Sequence, residues 1–206
     1  MVHHQIKNMV FDIGNVLVRW SPLEITRLTF SDEVKALEMA PRIFQNDIWL
    51  ELNMGRMTEK QAKQKYQNQL GLAPDTVEML FYYIKESLIP IYGTHRLLCK
   101  VKKAGYKVFA LTDNVDEIVE FLQQRYDFWT LFDGAIVSSE VGCLKPSPRI
   151  YHQLLNQYQL VPAETVFLDD MEANVKGAQD VGIHGIQFLN IFQCEAELKS
   201  LGVIYE

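Results

Sequence analysis

The chain has 206 residues, of which 48% are hydrophobic and 22% charged, and its formal net charge is -6. The length leaves room for one sizeable core plus an insertion, or for two small domains, and the composition is that of an ordinary globular protein. The lack of a basic stripe argues against nucleic-acid binding. With no apolar run of transmembrane length, no secretory signal pattern and three widely spaced cysteines, we expect a cytoplasmic protein that does not bind membranes and is a monomer or a homodimer.

The first predicted strand is followed by a long helical insertion. Residues Met9–Asp12 form an apolar run that ends in an acid, as a buried parallel strand does. From about Trp20 to Leu88, apolar residues recur three or four apart, which is typical of amphipathic helices. These residues are Leu37, Ala40, Phe44, Ile48, Leu52, Ala62, Tyr66, Leu70, Val77, Leu80 and Ile84. We interpret residues 19–88 as a cap beside the first strand, in which most aromatic and Met residues, among them Phe44, Trp49 and Met79, pack internally.

The remainder of the chain alternates apolar runs with helical segments. The four further predicted strands are Val108–Asp113, Gly134–Ser138, Val166–Asp170 and Gly185–Phe188. Between them we predict a helix capped by Thr94 and ended by Gly105, a second helix after Ser147-Pro148, and a third from Glu172 to Gly182. Strands that alternate with helices predict a doubly wound parallel sheet, the α/β class.

Carboxylates end two of these strands, far apart in sequence. Asp12 ends the first strand, and Asp169-Asp170 ends the fourth. Open α/β sheets bind ligands at the carboxyl ends of their strands, so three carboxylates can meet at one edge. Such a cluster is costly without a cation, and its oxygens suit Mg²⁺. The alternative, an acidic helix N-terminus at Asp169-Asp170, leaves Asp12 and Lys145 unexplained.

Four segments in a fixed order carry a family resemblance. They contain Asp12, Leu111-Thr112-Asp113-Asn114, Gly142-Cys143-Leu144-Lys145-Pro146, and Asp169-Asp170 with Asn174 beyond. In this order, with a helical insertion after the first, the whole chain resembles the haloacid dehalogenase-like hydrolase superfamily. The run from Phe132 to Pro146 is similar to that family's approach to its third motif. The first motif, Asp-Ile-Gly-Asn-Val, is most similar to the subgroup that includes glucose-1-phosphate phosphatase.

The resemblance implies a Rossmann-like core of residues 1–18 and 89–206, a helical C1-type cap, and phosphatase activity on small phosphorylated metabolites, with sugar phosphates favoured. Asp12 is then the nucleophile that forms an aspartyl-phosphate. Mg²⁺ would bind Asp12, the Gly14 carbonyl and Asp170.

The same resemblance implies roles for the remaining residues. Thr112, together with Asp113, Asn114 and nearby backbone amides, would bind phosphate oxygens. Lys145 would neutralise Asp12 and the transferred phosphoryl group. The supporting residues are Asp169, which would orient Lys145 or hold a metal-bound water, and Asn174, which would steady the acidic loop.

Two positions depart from the family pattern. Most phosphatases of the family carry an Asp two residues after the nucleophile, as general acid and base, and here that residue is Gly14. General acid–base catalysis is worth roughly 10²- to 10⁴-fold, so we expect a substrate with a good leaving group, or a proton from another residue. Asp113 stands where the family usually has Asn; it either affects substrate or phosphate binding, delivers a proton through water, or merely caps the following helix.

Three alternatives stay open at this point. A 2-haloacid dehalogenase would need neither the acid nor a metal, although the Asp169-Asp170 pair argues for a cation. A phosphoglycomutase-like transferase is weakened by Gly14. A non-catalytic binding module also fits Gly14, but Asp12, Thr112 and Lys145 are all present in the expected order.

Overall fold

The computed structural model describes residues 5–205, so residues 1–4 and 206 of the predicted core lie outside the described part. Five parallel strands form one sheet: β1 Asn8–Phe11, β2 Lys107–Thr112, β3 Gly134–Val137, β4 Thr165–Asp169 and β5 His184–Gln187. Their order across the sheet is β3-β2-β1-β4-β5. All five were predicted from apolar runs, to within about a residue, and the doubly wound α/β fold is confirmed.

Eleven α-helices accompany the sheet in the described residues. They are α1 Pro22–Thr29, α2 Glu33–Phe44, α3 Asp47–Asn53, α4 Glu59–Leu70, α5 Pro74–Glu86, α6 Thr94–Lys103, α7 Asp116–Arg125, α8 Ser138–Val141, α9 Pro148–Gln157, α10 Glu172–Asp180 and α11 Ile191–Ser200. Short 3₁₀ helices span Asp127–Leu131 and Pro162–Glu164. None of these helices combines the length and the apolarity needed to cross a bilayer.

The sheet is covered on both faces because its strand residues alternate between two apolar cores. Met9 and Phe11 belong to a large core that continues into the helices α1–α5. Val10 and Phe167 belong to a second core that includes residues of α9 and α10. The central strand β1 is therefore fully buried, as expected for a parallel sheet between helices.

The strand order reverses at β1, and this reversal places the site. Chain connections run from β1 through β2 to β3 on one side, and then cross to β4 and β5 on the other. Phe11 is level with Ala110 of β2 and with Leu168 of β4. The residues that follow these three therefore emerge at one edge of the sheet, which is where such folds bind ligands.

Helices α1–α5 lie between β1 and β2, where the sequence predicts the cap of residues 19–88. Local signals explain several of their ends. Ser21 Oγ accepts from the Glu24 amide at the start of α1, and Thr58 with Gln61 forms a capping box on α4. Gly71 ends α4 in the left-handed conformation. The division into two domains stays a prediction.

Some local predictions were wrong. Thr94 does not cap α6: Gly93 occupies the N-cap position with a φ of 85°, and Thr94 Oγ1 donates to the Ile91 carbonyl. Ser147 is at the N-cap position of α9, but its side chain makes no capping hydrogen bond. Leu37 and Met79 are 50% and 38% exposed, so neither is a core residue of the cap. Helical spacing alone does not say which side of a helix a neighbouring helix covers.

Hydrogen bonds connect the cap segment to the rest of the protein at several places. The Arg19 amide donates to Ile89 O and the Ile91 amide to Leu17 O, both at 2.9 Å, so the two connecting segments run side by side. Farther out, Ser138 Oγ, after β3, donates to the carbonyl of Asn53 at the end of α3, at 2.6 Å. These contacts hold α3 over the carboxyl edge of the sheet.

Candidate active site

One cavity of about 330 Å³ opens at the carboxyl edge of the sheet. Eight of the nine predicted site residues line it: Asp12, Gly14, Thr112, Asp113, Asn114, Lys145, Asp170 and Asn174. The ninth, Asp169, has no exposed surface and contacts Lys145. Residues from four separate segments of the sequence are thus brought together at the ends of β1, β2 and β4.

Lys145 joins two of the carboxylates. Its ammonium nitrogen lies 2.9 Å from Asp12 Oδ1 and 2.6 Å from Asp169 Oδ2, and it also donates to the Leu111 carbonyl at 3.3 Å. Burial by itself would lower the pKa of Lys145, but the charges of Asp12, Asp169 and Asp113 raise it above its ordinary value. Lys145 therefore stays charged at any physiological pH.

Asp169 is held as a fixed acceptor. Its Oδ1 accepts from the Met171 amide at 2.8 Å, and Asn174 Nδ2 donates to both carboxylate oxygens at 3.0 and 3.1 Å. With Lys145 on Oδ2, each oxygen already has two donors. This carboxylate is therefore suited to positioning Lys145 rather than to direct metal ligation.

Asp12, Asp169 and Asp170 each place a carboxylate oxygen within 4.8 Å of the others. Burial, opposed by Lys145 and reinforced by Asp169, raises the pKa of Asp12 to about 8. Burial also raises the pKa of Asp170. One ammonium does not balance this cluster, so a cation would be stabilised there.

The oxygen atoms available as metal ligands at this site fit a hard cation. Within the part of the chain that the structure describes, no hydrogen-bond donor reaches Asp12 Oδ2, and Asp170 Oδ1 is similarly without one. The Gly14 carbonyl belongs to a cavity-lining residue beside them. Carboxylate and carbonyl oxygens are the ligands that Mg²⁺ prefers in proteins.

Asn15 is a site residue that the sequence reasoning missed. It adopts a φ of 52°, a left-handed conformation that Asn tolerates better than most residues. Its Nδ2 donates to Asp170 Oδ2 at 3.0 Å, and its Oδ1 accepts from the Trp20 amide at 2.9 Å. Asn15 therefore links the acidic loop to the start of the cap, and an Asn three residues after a strand-ending Asp was the available signal.

The loop after β2 provides the other side of the site. Thr112 is buried, and Asp113 Oδ1 accepts from the Lys145 amide at 3.1 Å. Burial raises the pKa of Asp113 to about 6, against the opposing effect of Lys145. The Asn114 amide already donates to Ser138 Oγ at 2.9 Å, so it is not free to bind phosphate as the resemblance implied. Asp113 does not cap α7, whose first turn has no side-chain cap.

Apolar side chains form much of the rest of the cavity lining, and none of them was assigned to the site from the sequence. Trp20 and Trp49 stack with ring centroids 5.6 Å apart and planes 12° apart. Phe44 meets both rings edge-on, at 5.4 and 5.1 Å. Further apolar lining comes from Val18, Leu50, Leu88, Ile118, Leu144 and Met171.

Comparison with known proteins supports the resemblance. The family model for haloacid dehalogenase-like hydrolases matches residues 6–182. Sesquiterpene phosphatase astK of Aspergillus oryzae is 28% identical over 195 residues, which are 95% of this chain and 96% of that protein.

Solved structures of enzymes from two bacteria share the architecture of this chain. A haloacid dehalogenase family enzyme of Bacteroides thetaiotaomicron, solved with magnesium and inorganic phosphate, is 21% identical with a TM-score of 0.72, covering 88% of this chain and 93% of that one. An L-2-haloacid dehalogenase of Xanthobacter autotrophicus is 20% identical with a TM-score of 0.67, covering 97% and 85%. At these identities the likeness establishes the fold.

The interpretation as a non-catalytic module is not supported, because the matched family is one of hydrolases and because Asp12 and Lys145 form a buried ion pair in the cavity. The match covers most of the chain, and the motif residues converge on one site. This protein is therefore a member of the haloacid dehalogenase-like hydrolase family.

Proposed function

We propose that the protein is a Mg²⁺-dependent phosphatase of small organic phosphate esters, with Asp12 as its nucleophile. The observation that carries this proposal is the buried Lys145, which pairs with Asp12 on one side and with Asp169 on the other. An ammonium beside the nucleophile attracts a phosphate dianion to the position where it is attacked. The carboxylate cluster beside it suits a metal.

Mg²⁺ would be held by Asp12, Asp170 and the Gly14 carbonyl, and would offset phosphate charge near the attacking carboxylate. Asp169 and Asn174 would hold Lys145 and the acidic loop in place. Thr112 would contribute its hydroxyl to a phosphate oxygen. Asn15 fixes the orientation of Asp170.

The reaction has two steps. A carboxylate oxygen of Asp12 attacks phosphorus, forming an aspartyl-phosphate, while the bond to the leaving oxygen breaks and that oxygen keeps the electron pair. Water then attacks phosphorus, and Asp12 is released as a carboxylate with inorganic phosphate. The leaving oxygen must gain one proton in the first step, and the attacking water must lose one in the second.

Asp113 is our candidate for moving these protons, in place of the residue missing at Gly14. One of its oxygens is occupied by the Lys145 amide and the other is available, in a cavity-lining position. With a pKa raised to about 6, Asp113 can exchange a proton near neutral pH, where general acids and bases work best. If Asp113→Asn leaves the turnover rate and its pH profile unchanged, this role is wrong.

The test is phosphate release from acetyl phosphate and a panel of sugar, nucleotide and alkyl phosphates, with Mg²⁺ or with EDTA. Acetyl phosphate has a good leaving group and needs little help from a general acid. We expect release that EDTA removes and that Asp12→Asn abolishes. Asp75→Asn, at an exposed position of α5, is the matched control and should retain full activity.

A second candidate, 2-haloacid dehalogenase, is favoured by one observation: Gly14 leaves no acid in the position used by phosphatases. Halide release from 2-haloacids without metal, together with no phosphate release from any ester, would establish it. The metal-suited carboxylate cluster favours the phosphatase.

Two classes of organic group have support from similarity. The first motif favours sugar phosphates, whose anomeric oxygen is a good leaving group. The name of the Aspergillus oryzae relative refers instead to phosphorylated sesquiterpenes, which have a hydrocarbon skeleton.

A further inference from the structure

We propose that the cavity selects phosphate esters of apolar alcohols, with the hydrocarbon lying against an aromatic wall formed by Trp20 and Trp49, which line the cavity. This inference rests on the proposed function, which places the phosphate beside Asp12 and Lys145. It concerns the other half of the substrate, and it favours hydrocarbon esters over sugar phosphates.

Every charged residue that lines the cavity belongs to the phosphate and metal site: these residues are Asp12, Asp113, Lys145 and Asp170. Among the described residues, helix α3 and the connecting segments of the cap contribute no charged side chain to the lining. A ligand with its phosphate beside Asp12 and Lys145 therefore places its organic group against uncharged side chains.

The polar side chains nearest the cap are already in use. The Asn15 Nδ2 donates a hydrogen bond to Asp170, and its Oδ1 accepts one from the Trp20 amide. Asn53 donates to the Trp49 carbonyl at 2.8 Å. Sugar hydroxyls that left water for this surface would find few partners, and unpaired polar groups bind poorly.

The wall consists of large, ordered apolar side chains. Trp20 and Trp49 are partly buried and stacked on each other, and Phe44 packs against both edge-on. Leu88 and Ile118, which also line the cavity, are each about 4% exposed, while Leu50 is 44% exposed. Aromatic and aliphatic surfaces of this kind gain free energy by covering hydrocarbon.

The departure at Gly14 agrees with the same substrate class. A Cβ added at Gly14 would lie 3.7 Å from Trp20 Cβ. The usual Asp at this position would therefore place a carboxylate beside the aromatic wall. Glycine at this position therefore leaves the surface beside Trp20 without a charge.

Binding of alkylphosphonates to the Mg²⁺-loaded protein tests the inference without depending on turnover, because their carbon–phosphorus bond is not hydrolysed by this chemistry. The series is butyl-, hexyl- and octylphosphonate, with 6-hydroxyhexylphosphonate as the polar counterpart of the hexyl compound. We expect the Kd to fall about fourfold for each added methylene, and the terminal hydroxyl to raise the Kd. A Kd independent of chain length, or tighter binding of the hydroxylated compound, would overturn the proposal.

Two variants locate the effect. Trp49→Ala and Leu50→Asn should each reduce the ratio of the butyl to the octyl Kd, and this ratio does not depend on how much of the protein is folded. Leu37→Asn, the same change at an exposed leucine of α2 outside the cavity, should leave the ratio unchanged. An unchanged ratio in both wall variants would assign the methylene effect to another surface and contradict the proposal.

Acetyl phosphate turnover, measured on the same preparations, separates the two claims. If acetyl phosphate is hydrolysed but the Kd of the alkylphosphonates does not depend on chain length, the proposed phosphatase is supported and the apolar specificity is wrong. If the Kd falls steeply with chain length but no phosphate compound is hydrolysed, the apolar specificity is supported and the proposed phosphatase activity is wrong.

Discussion

At the scale of single residues, the site is organised by Lys145 and the acids around it. Three aspartates, Asp12, Asp113 and Asp169, contribute to raising the pKa of Lys145. Asp169 accepts four hydrogen bonds and Asp12 accepts two, whereas Asp113 accepts one, from a backbone amide. The pKa of Asp113 is raised to about 6, chiefly by burial.

This difference predicts how stability depends on pH. An Asp in the unfolded chain has a pKa of 3.8, against about 6 for Asp113 in the folded protein. Between these values the folded state holds more protons at this group than the unfolded state, so its contribution to stability falls as pH rises. In metal-free protein, we expect the free energy of unfolding of the wild type, relative to Asp113→Asn, to fall by on the order of 2 kcal/mol from about pH 4 to about pH 6.

Urea unfolding of the wild type and of Asp113→Asn from pH 4 to pH 8 measures the difference between their free energies of unfolding. Above about pH 7 the difference should stay constant, since Asp113 is then almost fully ionised in both states. A difference that is flat from pH 4 to pH 8, or that rises with pH, would show that the carboxyl group is not held in the protonated form.

At the scale of elements, the position of α3 decides which side chains of the cap line the cavity. Gly55, just after this helix, has a φ of 66°, and a Cβ there would overlap the Ser139 carbonyl. Ser138, the residue before Ser139, donates a hydrogen bond to the Asn53 carbonyl at the end of α3 and accepts one from the Asn114 backbone amide. The cap therefore meets the sheet through backbone contacts that only glycine permits.

We predict that Gly55→Ala is much more destabilising than Gly71→Ala. Both glycines have left-handed backbone with nearly equal φ, but a Cβ at Gly71 meets no atom within 4 Å. Gly71→Ala should therefore cost only the conformational penalty, about 1 kcal/mol, while Gly55→Ala adds a backbone clash worth roughly 2 kcal/mol or more. Chemical denaturation of the two variants gives the comparison, and equal losses would mean that the contact between α3 and the loop after β3 is not tight.

The elements also show what sequence could and could not predict. Strands and motif residues were predictable, because buried parallel strands have continuous apolar runs and because their ends share one edge. The aromatic wall of the cavity could not be predicted, although its residues Trp20 and Trp49 are prominent in the sequence. Whether Trp49 faces a cavity or the interior of the cap depends on how α3 packs against its neighbours, which periodicity does not determine. Leu37 has helical spacing and is nevertheless exposed.

At the scale of the whole molecule, we expect the carboxylate cluster to make stability depend on a bound cation. Burying several carboxylates near one ammonium disfavours the folded state, and a bound divalent cation would offset that cost. A ligand that binds only the folded state stabilises it by mass action, by about 2.7 kcal/mol at 100 times its Kd. The consequence reaches every element, because the cluster joins β1 to β4 at the centre of the sheet.

We therefore expect Mg²⁺ at about 100 times its Kd to raise the Tm by roughly 5 to 10 °C for a chain of this length. Asp170→Asn should abolish the shift, because it removes a free ligand oxygen, while Asp75→Asn should keep it. Thermal unfolding followed by circular dichroism, with Mg²⁺ and with EDTA, measures the effect. The same shift in the Asp170→Asn variant would place the cation elsewhere.

The central claim, that Asp12 becomes phosphorylated during turnover, has a direct measurement. The enzyme is mixed with acetyl phosphate and Mg²⁺, stopped in acid within milliseconds, digested, and the peptide that contains Asp12 is weighed by mass spectrometry. We predict a gain of one phosphoryl group located on Asp12, and no gain in Asp12→Asn. Steady phosphate release by the wild type with the adduct on another residue, or undiminished release by Asp12→Asn, would contradict it.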